Sequence, residues 1–157
     1  MKLMNPNMLD NIGFIFCGRD KGNLKYIKEQ IKNYNLNQNI KIIGHISDEQ
    51  LISVYKYCDA LVIPTYLGRS SLPLLEGIYF NKKIFYSKGI LDKSLIPYVE
   101  EFDLNNPKNL ANKIEKFKKE DLKHNHENLF SSSFFNNTYE SIINEFKNLQ
   151  NRWNEKQ

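Results

Sequence analysis

The sequence predicts an α/β fold, in which a doubly wound parallel sheet carries helices on both faces. Short apolar runs alternate with amphipathic segments of helical periodicity along most of the chain. Three of these runs stop at a glycine or a proline, residues that end a strand and begin a loop. Strands that alternate with helices form βαβ units, whose strands are parallel and whose crossovers are right-handed. A length of 157 residues is typical of one domain.

Four apolar runs are predicted as the main strands, and a weaker fifth run as an edge strand. The predicted strands are 13–17, 40–43, 60–63, 84–86 and, at the edge, 98–102. Helices are predicted where apolar residues recur three and four positions apart. The predicted helices cover 23–35, 47–58, 72–80 and 107–118. Ser47 and Gln50 have the spacing of a capping box, which fixes the start of the second of these helices.

The last part of the chain is predicted to form one long amphipathic helix that begins near Thr138. Its apolar stripe consists of Tyr139, Ile142, Ile143, Phe146, Leu149 and Trp153. The expected organisation is an N-terminal tail over 1–11, an α/β domain over 12–130, and a segment over 131–157 whose helix packs on that domain.

The amino-acid composition argues against some classes of binding partner. The chain has 22 basic and 18 acidic residues, a net charge of +4. It lacks the arginine-rich patch of a nucleic-acid-binding surface, so we expect no nucleic acid partner. The sequence contains neither a signal peptide nor an apolar run of membrane-spanning length. A cytoplasmic location is therefore predicted, and peripheral contact with the inner membrane surface stays open.

Cysteine and histidine usage gives no sign of a metal site. Cys17 and Cys58 adjoin apolar strands and are predicted to be buried, reduced thiols. The three histidines are His45, His124 and His126. They do not have the spacing of metal ligands, so no metal cofactor is expected.

The candidate ligand site follows from the topology. Parallel α/β sheets bind ligands beyond the carboxyl ends of their strands. Three loops lie at that edge, namely 18–22, 44–47 and 64–71. The third loop leads into a helix with Pro73 in its first turn, and the free N–H groups of a helix start attract anions. Glu76 lies one turn inside this helix, within reach of a ligand hydroxyl, so a phosphorylated sugar or a nucleotide is the predicted ligand.

Five segments occur in the order and spacing of one known family. They are FIFCG at 14–18, IIGHISDEQL at 42–51, VYKYCDALVIP at 54–64, LPLLEG at 72–77 and NPKNLA at 106–111. Together they resemble the C-terminal, donor-binding half of the “glycosyl transferases group 1” enzymes, which are retaining glycosyltransferases of the GT-B fold (family 4-like). The resemblance implies a Rossmann-like domain that binds a nucleotide diphosphate sugar.

The resemblance also implies a set of site residues. Glu76 would accept hydrogen bonds from the ribose hydroxyls of the nucleotide. The other donor-binding residues implied are Gly68, Arg69, Ser70, Ser71, Leu72, Gly44, His45 and Ile46. Simpler interpretations stay open: Glu76 suits a helix N-terminus, Ser71 suits an N-cap, and Arg69 suits a solvated loop. No catalytic nucleophile and no metal is implied in this half of the enzyme.

Two departures from the family pattern qualify this assignment. The first glutamate of the family's E-x7-E signature falls at position 68, which is Gly68 here. The family's acceptor-binding N-terminal domain and its upstream Arg…Lys pair, which grips the donor diphosphate, have no counterpart in the sequence. Arg19 and Lys21 follow a different strand and are expected to be solvated. The resemblance then implies a truncated product, an isolated fragment or one subunit of a split enzyme.

The predicted function is that of a partial hexosyltransferase. It would move a sugar from a nucleotide diphosphate sugar to a glycan or lipid acceptor, as in polysaccharide biosynthesis, and would be inactive without an N-terminal domain or subunit. The alternative is a degenerate, non-catalytic module that binds a nucleotide or a protein partner. A receiver domain fits less well, because the predicted strands do not end in clustered acidic residues.

Overall fold

The computed structural model describes residues 1–67, 72–89 and 91–117, all of which belong to one unit, Met1–Leu122. The helices are α1 (Pro6–Leu9), α2 (Leu24–Asn33), α3 (Asp48–Tyr57), α4 (Leu72–Tyr79) and α5 (Pro107–Lys116). The strands are β1 (Phe14–Cys17), β2 (Ile40–Gly44), β3 (Ala60–Ile63), β4 (Lys83–Ser87) and β5 (Glu100–Phe102). The segment predicted to form the long final helix, 131–157, lies outside the described residues.

The strands are parallel, as the alternation with helices predicts. Phe14 pairs with Ile40 in the β1–β2 ladder. Ala60 pairs with Lys83 and β4 pairs with β5 in a second ladder. Among the described residues the strands form two sheets, in the orders β1-β2 and β3-β4-β5. The α/β, Rossmann-like class is confirmed, and the new feature is the missing ladder between β1 and β3.

The core of the described unit surrounds β4. Its most buried side chains, all less than 2% exposed, include Leu74, Ile84, Phe85 and Tyr86. β3 is half-buried along its length, and three of the four residues of β1 are exposed. Cys17 is a free thiol on that exposed strand, so the prediction that it is buried is wrong. Cys58 is also a free thiol and is half-buried.

Helix α4 approaches β3 and β4 closely because residue 77 is glycine. A Cβ atom at Gly77 would overlap the Leu61 side chain and lie 3.1 Å from Cδ1 of Ile84. The family motif that LPLLEG resembles has alanine at this position. In this chain the space for that methyl group is filled by Leu61 of the neighbouring strand, which holds the helix carrying Glu76 against the sheet.

Local capping signals fix the starts of α3 and α5 as predicted. Ser47 and Gln50 form both hydrogen bonds of a capping box before α3. Asn106 accepts a hydrogen bond from the Asn109 N–H, and Pro107 occupies the first turn of α5. These contacts depend on residues a few positions apart, which explains why the sequence predicts them.

The N-terminal segment, predicted as a tail, contains α1 and contacts the end of the domain. Met4 is buried. The Asn5 N–H donates to Glu115 Oε1 at 2.6 Å, and the Lys108 ammonium group donates to the Leu3 carbonyl oxygen at 2.5 Å. Residues 1–12 are therefore held against α5 by backbone groups, a pairing that no local sequence pattern signals.

An ion triad joins β4, β5 and α5. Glu100 accepts from Lys83 at 2.8 Å and from Lys113 at 2.9 Å. Burial by itself would raise the pKa of Glu100, but the hydrogen bonds from Lys83 and Lys113 outweigh it and hold the pKa below its usual value. The three side chains are each about one-third exposed or less.

Glu100→Gln is expected to lower the free energy of unfolding by about 1 kcal/mol at pH 7, because it leaves two lysines without their shared counter-ion. The folded-state pKa of Glu100 is lowered, so this contribution is present above the unfolded-state pKa and is lost as pH falls through the folded-state pKa. Urea unfolding at pH 7 and in acid measures the difference. Glu29→Gln on the exposed face of α2 is the control, and an equal effect of the two substitutions would contradict the account.

Candidate functional site

A cleft lies beyond the carboxyl ends of β1 and β2. Its volume is about 560 Å³, and its walls come from the β1–α2 loop, the first residues of α2 and the end of β2. Arg19, Lys21, Gly44 and His45 line it. Two of the three loops predicted to share this edge, 18–22 and 44–47, are thus brought together.

Two glycines form the junction of these loops. The Gly18 N–H donates to the Gly44 carbonyl oxygen at 2.8 Å. The φ angles are +133° at Gly18 and +67° at Gly44, in the region that disfavours residues with a side chain. The contact therefore fixes the floor of the cleft with backbone atoms only, so a ligand can approach the two loops closely.

The cleft is lined mainly by apolar groups, among them those of Phe16, Leu24 and Ile42, and two of its polar residues, Arg19 and Lys21, are basic. Its acidic residue is engaged by the backbone. Asp20 accepts hydrogen bonds from the N–H groups of Gly22 at 2.7 Å and Leu24 at 3.2 Å, which orders the start of α2. Arg19 and Lys21 flank it, and both are exposed. The prediction that these two residues are solvated is confirmed, and the structure adds that they line the same cleft as Gly44 and His45.

Glu76 lies on α4, and its carboxylate points toward α3. The Tyr55 hydroxyl donates to Oε2 of Glu76 at 2.7 Å. Tyr55 is 5% exposed and stacks on Phe80 with ring centroids 5.3 Å apart. Of the residues that the structure describes, Tyr55 alone donates a hydrogen bond to this carboxylate. The carboxylate is therefore held in one direction by a buried partner.

The environment of Tyr55 keeps its hydroxyl protonated. Burial raises the pKa of Tyr55 most, and the hydrogen bond and negative charge of Glu76 raise that pKa further. Cys17, which lines the cleft, is a smaller contributor to the same pKa shift. Tyr55 therefore acts as a fixed hydrogen-bond donor to Glu76 across the physiological pH range.

A buried serine that the sequence analysis did not identify shapes the start of the third loop. Ser87 at the end of β4 is fully buried. Its hydroxyl accepts from the Thr65 N–H at 2.8 Å and donates to the Ile63 carbonyl oxygen at 3.2 Å. The sequence signal that could have identified Ser87 is a polar residue at the end of an apolar strand. Ser87 directs the chain as it leaves β3 toward α4.

The remaining predicted site residues divide into two groups. Leu72 begins α4 and is 60% exposed, while Ile46 is half-buried beside the second loop. Gly68, Arg69, Ser70 and Ser71 lie outside the described residues.

No group of three or more His, Cys, Asp or Glu side chains within 1–67, 72–89 and 91–117 is arranged to hold a metal ion. In the same part of the chain, no helix has the length and apolar character needed to cross a membrane.

The parallel α/β architecture, with a cleft at the carboxyl edge of β1 and β2, defines a Rossmann-like domain. Comparison with family models then identifies the family. Residues 1–129 match the model described as “Glycosyl transferases group 1”. The chain belongs to this family, and the resemblance inferred from its motifs is confirmed. The match also includes residues 1–12, which precede the first of those motifs.

Solved structures agree on the fold. A sucrose-phosphate synthase from Thermosynechococcus elongatus has a TM-score of 0.57 and 22% identity, covering 65% of this chain and 28% of that one. HepE from Anabaena, solved in complex with UDP, has a TM-score of 0.58 and 18% identity, covering 73% of this chain and 32% of that one. The chain thus spans about a third or less of these GT-B glycosyltransferases. No curated protein matches it.

Proposed function

We propose that the chain is the donor-binding half of a retaining glycosyltransferase and binds a nucleotide diphosphate sugar at the carboxyl edge of its strands. Family membership supports glycosyl transfer. The observation that carries the finer proposal is the Tyr55–Glu76 hydrogen bond of 2.7 Å, which fixes the direction of the Glu76 carboxylate on α4. A fixed carboxylate is suited to accept the paired hydroxyls of a ribose.

The proposed chemistry is positioning combined with electrostatics. Sugar transfer creates negative charge on the leaving diphosphate and positive charge on the sugar, and preorganised donors stabilise the former. Arg19 and Lys21 supply positive charge along the cleft. The backbone of loop 68–71 and Leu72 would contribute N–H groups. No side chain of this chain is assigned as a nucleophile, and the proposal includes no metal.

The acceptor side of the reaction is assigned to another part of the enzyme. The neighbours are about three to four times as long as the region they share with this chain. We propose that an N-terminal domain or subunit binds a glycan or lipid acceptor, and that residues 1–157 alone transfer sugar weakly or not at all. Hexosyl transfer and a cytoplasmic location remain predictions.

Gly68 favours a second candidate, a module that binds a nucleotide or a protein without catalysis. The family signature has a glutamate where this chain has Gly68. The two candidates differ in one measurable property. Only the first restores sugar transfer when the chain is combined with an acceptor-binding half.

Calorimetric titration of the 157-residue chain with UDP, GDP, uridine and guanosine tests donor binding. We expect one of the two diphosphates to bind with a dissociation constant below about 1 mM, and the nucleoside of the same base to bind at least about tenfold more weakly because it lacks the diphosphate. Equal binding of that diphosphate and its nucleoside would remove the role of Arg19 and Lys21. The absence of binding by either diphosphate would contradict the donor-binding proposal.

A further inference from the structure

The segment over 19–32, which comprises the β1–α2 loop and most of α2, is strongly basic. It contains two acidic side chains and five basic ones, namely Arg19, Lys21, Lys25, Lys28 and Lys32. The difference, five minus two, is a net charge of +3, against +4 for the whole chain. One of the two carboxylates, that of Asp20, is occupied by the N–H groups of Gly22 and Leu24. The segment therefore carries positive charge that its own carboxylates do not balance.

Three of these lysines lie on one face of α2. Lys25, Lys28 and Lys32 are separated by three and four positions, the spacing that places helical residues on the same side. All three are exposed. Both salt bridges found among the described residues are made by Glu100 instead. The three ammonium groups are therefore left facing solvent as one basic stripe.

This charge pattern does not stabilise the helix. α2 has no acidic residue in its first turn, and Lys25 lies there, where the helix dipole disfavours a positive charge. Lys28 is three positions from Lys25 and four from Lys32, and like charges at these spacings repel. Glu29, the one carboxylate on α2, forms no salt bridge with a described lysine. α3 has the favourable arrangement, with two acidic residues in its first turn and a lysine in its last. The lysines of α2 therefore point to a partner outside the domain.

Tyrosine side chains and further basic groups border the stripe. Tyr26 on α2 is 62% exposed, and Tyr34 at its end is 42% exposed. The Lys2 ammonium group lies 4.5 Å from the centroid of the Tyr34 ring and donates to its hydroxyl at 3.2 Å. At the other end of α2, Arg19 and Lys21 line the cleft. Tyrosine combines an apolar ring with a polar tip, which suits the level of lipid headgroups.

We propose that the exposed face of α2, defined by Lys25, Lys28 and Lys32, docks on the surface of an anionic lipid bilayer. Lysine is a point charge on a flexible stem, which suits mobile phosphate headgroups without fixed geometry, whereas the rigid fork of arginine is preferred for nucleic acids. Each lysine close to such a surface strengthens binding by about fivefold. None of the three lysines lines the cleft, so the inference does not depend on nucleotide binding.

Sedimentation of the full chain with lipid vesicles tests the proposal. Phosphatidylcholine vesicles that contain about 30 mol% phosphatidylglycerol should bind the chain, and vesicles of phosphatidylcholine alone should not. Raising NaCl from about 0.1 M to about 0.5 M should release the chain, because salt screens the attraction. The triple variant Lys25→Gln, Lys28→Gln, Lys32→Gln should bind the anionic vesicles at least about thirtyfold more weakly. Its circular dichroism spectrum should stay unchanged, and the same three substitutions to arginine should retain binding.

A second triple variant controls for net charge. Lys41→Gln, Lys56→Gln, Lys93→Gln removes the same charge from exposed positions on β2, on α3 and after β4. It should bind the anionic vesicles within about threefold of the parent chain, because charges far from the bilayer are screened. Equal weakening by the two triple variants would overturn the proposal, as would a parent chain that does not sediment with anionic vesicles. A parent chain that binds duplex DNA but not the vesicles would assign the stripe to a nucleic acid and would also overturn it.

Discussion

Replacing Glu76 with glutamine is expected to weaken binding of the preferred nucleoside diphosphate by about tenfold to a hundredfold. Hydrogen bonds to a charged acceptor contribute about 1.5–3 kcal/mol each, and every 1.4 kcal/mol corresponds to about a factor of ten in affinity. Glutamine has the same size, and its amide oxygen can still accept from the Tyr55 hydroxyl. The fold should therefore survive while one strong acceptor for the ribose is lost.

Calorimetry on three variants distinguishes the charge of Glu76 from its orientation. Tyr55→Phe keeps the stacking on Phe80 but removes the 2.7 Å hydrogen bond to the carboxylate. It should reduce affinity by only about threefold to tenfold, the value of one ordinary hydrogen bond. Glu49→Gln, an exposed carboxylate in the first turn of α3, should have no effect. Unchanged affinity in Glu76→Gln, with binding intact in the parent chain, would show that this carboxylate does not contact the nucleotide.

Phe85→Ala is expected to be strongly destabilising for this chain. Phe85 is 1% exposed, meets Phe117 edge-to-face at 6.3 Å and lies 5.8 Å from the Lys83 ammonium group. Truncation of a buried phenylalanine costs about 3–5 kcal/mol, which is a large part of the roughly 5–15 kcal/mol available to a small domain. The folded state of this variant should be only marginally stable at room temperature.

Urea unfolding followed by circular dichroism measures this loss. Tyr57→Ala is the matched control, because Tyr57 is an aromatic residue that is 86% exposed on α3; its effect should stay within about 0.5 kcal/mol. A loss below about 1 kcal/mol in Phe85→Ala would mean that the core of this unit does not surround β4.

The sequence predicted the individual elements well because their signals are local. The capping box at Ser47, the proline at the start of α5 and the apolar runs depend on residues within one or two turns of each other. The weak run over 98–102 was predicted as an edge strand, and β5 lies at the edge of its sheet, after a 3₁₀ helix over Ile96–Tyr98. The bounds of the predicted helices and strands differ from the observed ones by at most two residues.

Features that depend on distant contacts were not predictable. The absence of a β1–β3 ladder among the described residues depends on how the strands are arranged in space, and apolar patterning makes β1 look like an ordinary buried strand. The wrong prediction for Cys17 has the same cause, since its burial requires a neighbour that the described residues do not supply. The contacts of residues 1–12 with α5 join opposite ends of the unit.

The candidate site also combines features that the sequence predicts with features that depend on distant contacts. Topology alone predicted that loops 18–22 and 44–47 share one edge, and the cleft confirms it. Tyr55 lies within the predicted helix 47–58 and is buried. Its bond to Glu76 links two helices across 21 positions, and no periodicity encodes such a pairing. The role of Glu76 and of the loop residues 68–71 in donor binding remains a prediction.

Titration of the isotopically labelled chain with the nucleoside diphosphate that it binds, followed by backbone NMR, tests the central claim most directly. The account predicts that the amide resonances of Gly18, Gly44, His45 and Glu76 shift together along one saturable binding curve. In the Glu76→Gln variant, the amide resonance of residue 76 should no longer shift. Shifts confined to other faces of the unit, or no shifts at millimolar diphosphate, would contradict it.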